Sequence, residues 1–312
     1  TSVRQEYIVY VINAFVLAMF VNEIISYGIL FGWWLELRSG YPVYFMPHVF
    51  YSILLAFTIM ILVYKVVNES RLIYRVASLI FLVTMIGNLA ISGGRSGQVT
   101  LLIAFLFTML LFYKISFKSI VMIVIAPVIT FLLAYSMYSP FANRAHNVMY
   151  DADKAINNGN FNTSFGTRIA GFVLTAKMLE DNSITATLFG HGVGDLDIAK
   201  KETIKKYYPT QMNPQKQYKH FHSSFLDVIG WIGIVGLLFL LMFLVSLYKI
   251  KIKNNEMRYI KIVLFFVLIM SYFPDSSLDS QYIMLLTSVF VGLLLAQSKY
   301  EQIDSNILVN KE

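Results

Sequence analysis

The sequence contains no cysteine. That excludes a disulfide, a thiolate metal site and a cysteine nucleophile, and it leaves the redox compartment unreadable. Charge is also scarce. Only 14% of the 312 residues are Asp, Glu, Lys or Arg, against roughly a quarter in soluble domains. The few charges inside the apolar runs form no repeated arginines and no carboxylate chain, which speaks against a pump or a voltage sensor. The glycine-rich stretch Gly190-His191-Gly192-Val193-Gly194-Asp195 has no Lys-Ser/Thr pair and is not a P-loop. No Ser-His-Asp order or nucleophile elbow is present. His146, His191 and His220 show no metal-ligand spacing. Internal repeats, low-complexity segments and a cleavable signal pattern are all missing; the first apolar run is too long for a signal h-region. The chain opens on Thr1 rather than Met, so a trimmed N-terminus and a longer native protein are expected.

What is present in quantity is apolar surface. Hydrophobic residues make up 57% of the chain, and the mean hydropathy is +0.63. Several runs reach the roughly 20 residues needed to cross a bilayer. The expected fold is all-α, a polytopic membrane bundle of about eight helices. The spans fall at about 7–31, 43–64, 74–91, 97–113, 119–138, 223–248, 260–273 and 280–297. Asn22 and Glu23 interrupt the first, where a carboxylate sits at an interface or faces the bundle interior, a weak candidate to partner a buried arginine. The net charge of +7 is read as cytoplasmic loops, not as nucleic-acid binding. Lys65, Arg71 and Arg75, then Lys114 and Lys118, then Lys249, Lys251, Lys253, Arg258 and Lys261 fall on one side if the helices alternate. That places both ends in the cytoplasm. The domains are then 1–139 (five spans), 140–221 (a large extracytoplasmic loop), 222–298 (three spans) and 299–312 (a cytoplasmic tail). The loop is too long to be structureless, and residues 165–180 carry an amphipathic helical pattern.

On this topology Arg95, Arg168 and His222 share the outer side. Arg95 stands in Ser92-Gly93-Gly94-Arg95-Ser96-Gly97, next to a helix start. Glycines allow close backbone approach there, free N–H groups point outward, and guanidinium matches phosphate. The alternative is a tight turn whose arginine snorkels to the headgroups. Arg168 opens the amphipathic helix and by itself reads as a surface arginine. His222 precedes a long apolar helix that Ser223 or Ser224 could cap. A helix N-terminus disfavours imidazolium, so the ring should be neutral, the form a general base needs. A histidine at the interface with no role, or His220 in its place, is the alternative. Gly230, Gly233 and Gly236 form a stripe that permits close helix packing and fixes where His222 stands. Gly192 and Gly194 read as a turn lining a site. Asp275 and Asp279 could touch a sugar hydroxyl or be solvated. The pairs Asp151/Asp153 and Asp195/Asp197 could hold a metal and a nucleotide diphosphate, but on the outer side nucleotide sugars are absent; no metal and no other cofactor is expected.

His222-Ser223, nine residues, then Gly233-x-x-Gly236 resembles the H-[NSQ]-x9-G-x-x-G signature of the O-antigen ligase and O-antigen polymerase superfamily. The SGGRSG turn resembles the family's outer Ser/Gly-Arg segment. The Thr-Arg start of an outer helix followed by GHGVG resembles its large periplasmic loop. The likeness spans about residues 71–297. Family members usually have more spans than the eight seen here. The resemblance implies a metal-independent, inverting membrane glycosyltransferase of the GT-C class in the bacterial cytoplasmic membrane, with its active site on the outer face. His222 would be the base, and Arg95 and Arg168 would bind pyrophosphate, with Ser223, His220, Gly192, Gly194 and Asp275 as further substrate contacts. The donor would be an undecaprenyl-pyrophosphate-linked glycan. The acceptor would be a second lipid-linked repeat unit in a polymerase, or lipid A–core in a ligase. A chain-length regulator is a further candidate partner. Polymerisation is the preferred expectation. The basic run Lys200–Lys206 would suit the phosphorylated core of a ligase acceptor if it is not simply a solvated helix face. A lipid-linked glycan flippase is the rival from another class, disfavoured because no inverted repeat is visible.

Overall fold

The computed structural model describes residues 5–33, 43, 46–113, 150, 153–155, 159, 161, 163, 165–210, 212 and 220–309, with the backbone alone at 5 and 304–309. Among the described residues every regular element is helical. In chain order these are α1 (Gln5–Leu30), α2 (His48–Asn68), α3 (Leu72–Ile91), α4 (Arg95–Leu111), α5 (Gly166–Asp181), α6 (Ile184–Phe189), α7 (Gly192–Tyr207), α8 (Ser224–Lys249), α9 (Asn255–Tyr272) and α10 (Gln281–Val309), with a 3-10 turn at Ser277–Asp279. Five helices are long and apolar enough to cross a membrane: α1, α2, α3, α8 and α10. Helix α4 is apolar but has 17 residues. Helix α9 carries Glu256, Arg258 and Lys261 in its first two turns, which dilute its hydropathy. The expected span at 119–138 lies outside the described residues.

The chain divides into two compact units. One comprises Thr1–Tyr113, Leu244–Ser271 and Ser277–Glu312; the other comprises Lys114–Phe243 and Tyr272–Ser276. The first is organised around α2. Its residues Tyr51 to Leu62 are buried without interruption, as expected of a helix that is apolar all round and enclosed by others. Helices α3 and α4 pack against it. Ser52 Oγ accepts a hydrogen bond from the Gly97 amide at 3.2 Å, and a Cβ at Gly94 or Gly97 would overlap Ser52. The SGGRSG glycines therefore serve this close approach, while Arg95 itself is exposed. Phe15, Phe57 and Phe290 join α1, α2 and α10 edge to face, with centroids 4.7–5.8 Å apart. The Tyr259 hydroxyl donates to the Met60 carbonyl at 2.8 Å. Glu23 is buried, as a carboxylate facing the bundle interior would be.

The second unit gives the long loop a core of its own. Ala170, Leu174 and Met178 recur every four residues on α5, which runs within a residue of the expected amphipathic helix. They meet Leu196 and Ile204 of α7, Leu226 of α8, and Phe221. Two glycine segments interlock here. Gly190 (φ 77°, ψ −171°) and Gly233 (φ 73°, ψ −162°) adopt a backbone open only to glycine. A Cβ on Gly190 would strike the Trp231–Ile232 backbone, and one on Gly233 the Leu188–Phe189 backbone. The His191 amide donates to the Gly230 carbonyl at 2.9 Å. The stripe gives the close packing expected of it, with Gly230 against Leu196 and Phe221, and Gly233 adds something further. It breaks α8 and seats the α6–α7 turn against it, because positive φ is incompatible with a continuous helix.

Candidate functional site

Phe221 anchors the residue that follows it. Its ring is 1% exposed, and Lys200 lies over it at 5.2 Å. A Cβ on Gly171 would meet the Phe221 carbonyl, and one on Gly230 would meet its ring. The Phe221 amide donates to Asp227 Oδ1 at 2.8 Å, so a carboxylate in the first turn of α8 reaches back and grips the incoming chain. His222 comes next, and it is the one non-glycine among the described residues with a positive φ, 55°. Such a backbone is uncommon for a residue with a Cβ, and it persists only where neighbours over-determine it.

Those neighbours come from both sides. Ser223 Oγ donates to the Tyr272 carbonyl at 3.3 Å, and the amide and hydroxyl of Ser224 both donate to the Asp275 carbonyl at 3.1 Å. The serines thus fasten the loop to the segment Tyr272–Ser276. The same segment holds Arg168. Its Nε donates to the Pro274 carbonyl at 3.1 Å, and its Nη2 pairs with Asp275 Oδ1 at 3.4 Å. Tyr272–Ser276 is therefore a bracket that positions the guanidinium of α5 and the imidazole before α8 together. Phe172 against Phe273 (6.0 Å) and Phe225 against Tyr272 (6.3 Å) support it from either side.

The His222 imidazole is half-buried. Burial, then the positive charges of Arg168 and His220, push its pKa below the ordinary histidine value, opposed by Asp227. It is therefore held neutral at ambient pH, with a cation beside it. This pairing can accept a proton from a hydroxyl while the guanidinium faces an anion. Gly192 and Gly194 occupy the exposed start of α7, with open space where a Cβ would stand. The turn before them is tied to Gly230 rather than to the His222 loop. Arg95 begins α4 in the other unit.

A family profile described as O-antigen ligase matches residues 80–241. The chain belongs to the O-antigen ligase family. The match covers just over half of its 312 residues and contains Arg95, Arg168, His222 and both glycine segments. No curated protein matches the chain. Membership in the O-antigen ligase family indicates an activity of the ligase or polymerase type in a membrane setting.

Three residues outside the sequence expectation contribute to the site. Asp227 has a visible cue, a carboxylate in an otherwise apolar span. Gly171 lies three residues after Arg168, on the same helical face. Pro274 supplies only its carbonyl, which no side-chain pattern announces. One reading needs correction. The run Lys200–Lys206 is not a uniform basic face: Lys200 is buried and paired with Asp197 at 2.6 Å, and Lys206 is paired with Asp181 at 2.8 Å. Asp197 is thereby engaged with Lys200, and Asp151 lies outside the described residues.

Proposed function

We propose that this chain transfers glycan from an undecaprenyl-pyrophosphate carrier to an acceptor sugar hydroxyl at the outer face of the bacterial cytoplasmic membrane. His222 acts as the base and Arg168 binds the pyrophosphate. The observation that carries this is the Tyr272–Ser276 bracket, which holds the Arg168 guanidinium and the two serines that follow His222, close enough for the Arg168 charge to act on the imidazole. The attacking oxygen loses its proton to His222 as it bonds to the anomeric carbon, and the bond to the pyrophosphate oxygen breaks. Negative charge then grows on the leaving group, where a fixed cation lowers the barrier. The anomeric centre inverts. Ser223 and Asp275 are committed to holding the loop and Arg168; His220, whose charge also reaches the imidazole, is a candidate substrate contact. Arg95, exposed at the start of α4, is proposed as a phosphate ligand, and Arg95→Lys should lose most activity because the planar fork is lost.

Polymerisation of repeat units is the preferred reaction. The neutralised Lys200 and Lys206 remove the main reason to expect a phosphorylated acceptor. The family's description as O-antigen ligase favours the second reading, ligation onto lipid A–core. Purified protein supplied with carrier-linked repeat unit alone decides between them. Long chains are expected for a polymerase, whereas strict dependence on added lipid A–core makes it a ligase.

A further inference from the structure

The second unit contains a cleft of about 300 Å³ remote from the His222 loop, lined by Met178, Asp181, Asn182, His191, Glu202 and Lys206 with Ala199 and Thr203. We infer that it is a saccharide subsite for neutral sugars, which binds glycan several units away from the reacting hydroxyl. The inference rests on the glycosyl-transfer reading above and names where the glycan is held.

The lining suits a sugar. Met178 and Thr203 make a buried floor, and the walls carry planar polar groups whose directions are already fixed. Asp181 accepts from Lys206 Nζ at 2.8 Å and from the Tyr207 hydroxyl at 2.7 Å. Asn182 Oδ1 is paired with His191 Nε2 at 2.9 Å. Those bonds orient the groups without exhausting them. A carboxylate has about four acceptor positions, and an amide keeps its two N–H donors when only its oxygen is engaged. Glu202 has no hydrogen bond or ion pair among the described residues. The cleft therefore offers acceptors and donors at fixed angles from Asp181 and Asn182, with the open carboxylate of Glu202 beside them, which matches sugar hydroxyls, each a donor and an acceptor at once. Its volume is at the small end for ligand sites, the scale of one or two sugar rings rather than a lipid.

Charge narrows the class. Asp181, Glu202 and Lys206 sum to −2 + 1 = −1 on the lining residues. Mutual hydrogen bonding holds the Asp181 carboxyl below, and the Lys206 ammonium above, their ordinary pKa values, so both stay charged at neutral pH. Phosphorylated and uronic-acid sugars are therefore disfavoured here. Position completes the inference. Arg168 and Asp181 sit 13 residues apart on α5, about 20 Å along the axis at 1.5 Å per residue. One rigid helix thus carries the pyrophosphate ligand at its start and the cleft at its end, and a glycan bound at both must contain several units.

The test uses the full chain in nanodiscs. The binding probe is the source strain's surface polysaccharide depolymerised to short oligosaccharides; transfer is assayed with the lipid-pyrophosphate-linked repeat unit. Asn182→Ala and Glu202→Ala are surface changes that leave the core intact. Each is expected to weaken oligosaccharide binding at least tenfold and to raise KM for the glycan substrate with kcat unchanged. Glu202→Gln, which keeps an acceptor, should rescue most of the binding. If transfer proceeds and both alanine variants bind and turn over like wild type, the subsite is overturned while the glycosyl-transfer reading stands. If wild type binds the oligosaccharide through these residues but transfers nothing, that reading fails and the subsite survives. Equal loss of kcat and stability in the variants makes their role structural and overturns the subsite.

Discussion

At His222 the chain accepts a left-handed backbone that costs about 1–2 kcal/mol for a residue with a Cβ. Glycine would relieve that cost. His222→Gly should therefore unfold at an equal or higher temperature than wild type while losing transfer, the opposite of what a histidine needed for folding would show. The pH profile tests the same residue differently. The base works in its neutral form, so the rate rises with pH through the His222 pKa and then levels. Burial and Arg168 depress that pKa, so the acid limb should fall below the ordinary histidine value of about 6.5. Arg168→Gln removes a neighbouring positive charge. It should slow transfer and also move the acid limb to higher pH in normalised rates; a limb that moves down or stays put separates Arg168 from His222. The proposed base and pyrophosphate ligand were legible in the sequence because an imidazole and a guanidinium are conspicuous beside apolar runs. The Pro274 and Asp275 carbonyls that hold them were not, since every residue has a carbonyl and these lie some 50 to 100 positions downstream.

The elements show why two glycine motifs occur in one chain. Gly190 and Gly233 let the α6–α7 turn and a broken α8 meet backbone to backbone. Gly233→Ala should cost about 1–3 kcal/mol from backbone strain alone, read as a lower unfolding temperature. Gly171 acts at closer range to the chemistry. A Cβ there meets the Phe221 carbonyl and would displace the residue before His222. Gly171→Ala should cut kcat, by as much as about 100-fold for a shift near 1 Å, while Ala176→Ser on the exposed face of α5 leaves it unchanged. Helix α5 was readable from its apolar period of four. The fate of the lysine run was not. Lys200 falls four residues after Leu196, so helix geometry turns it inward onto Phe221 and Asp197, whereas Lys201 and Lys205 stay exposed. A charge run counts residues, and only the helical face decides which of them meet solvent.

For the whole molecule, membrane character and an all-helical fold follow from composition and run length. α2 shows the limit of that logic: its apolar run marks a span equally well whether it faces lipid or, as here, other helices on every side. The break at Gly233 was equally hidden, because Ile234–Leu247 continues the hydropathy of the preceding turns without interruption. The proposed function rests on the second unit, where a loop with its own core carries Arg168 and is fastened beside His222 to the same Tyr272–Ser276 segment. The most direct test is the rate of glycosyl transfer from a carrier-pyrophosphate-linked repeat unit, measured across pH for wild type and His222→Ala in nanodiscs. Wild type should show an acid limb below the ordinary histidine range, and the folded His222→Ala protein should have lost transfer by two orders of magnitude or more. A folded His222→Ala protein that transfers at the wild-type rate with the same pH profile would contradict the assignment of His222 as the base.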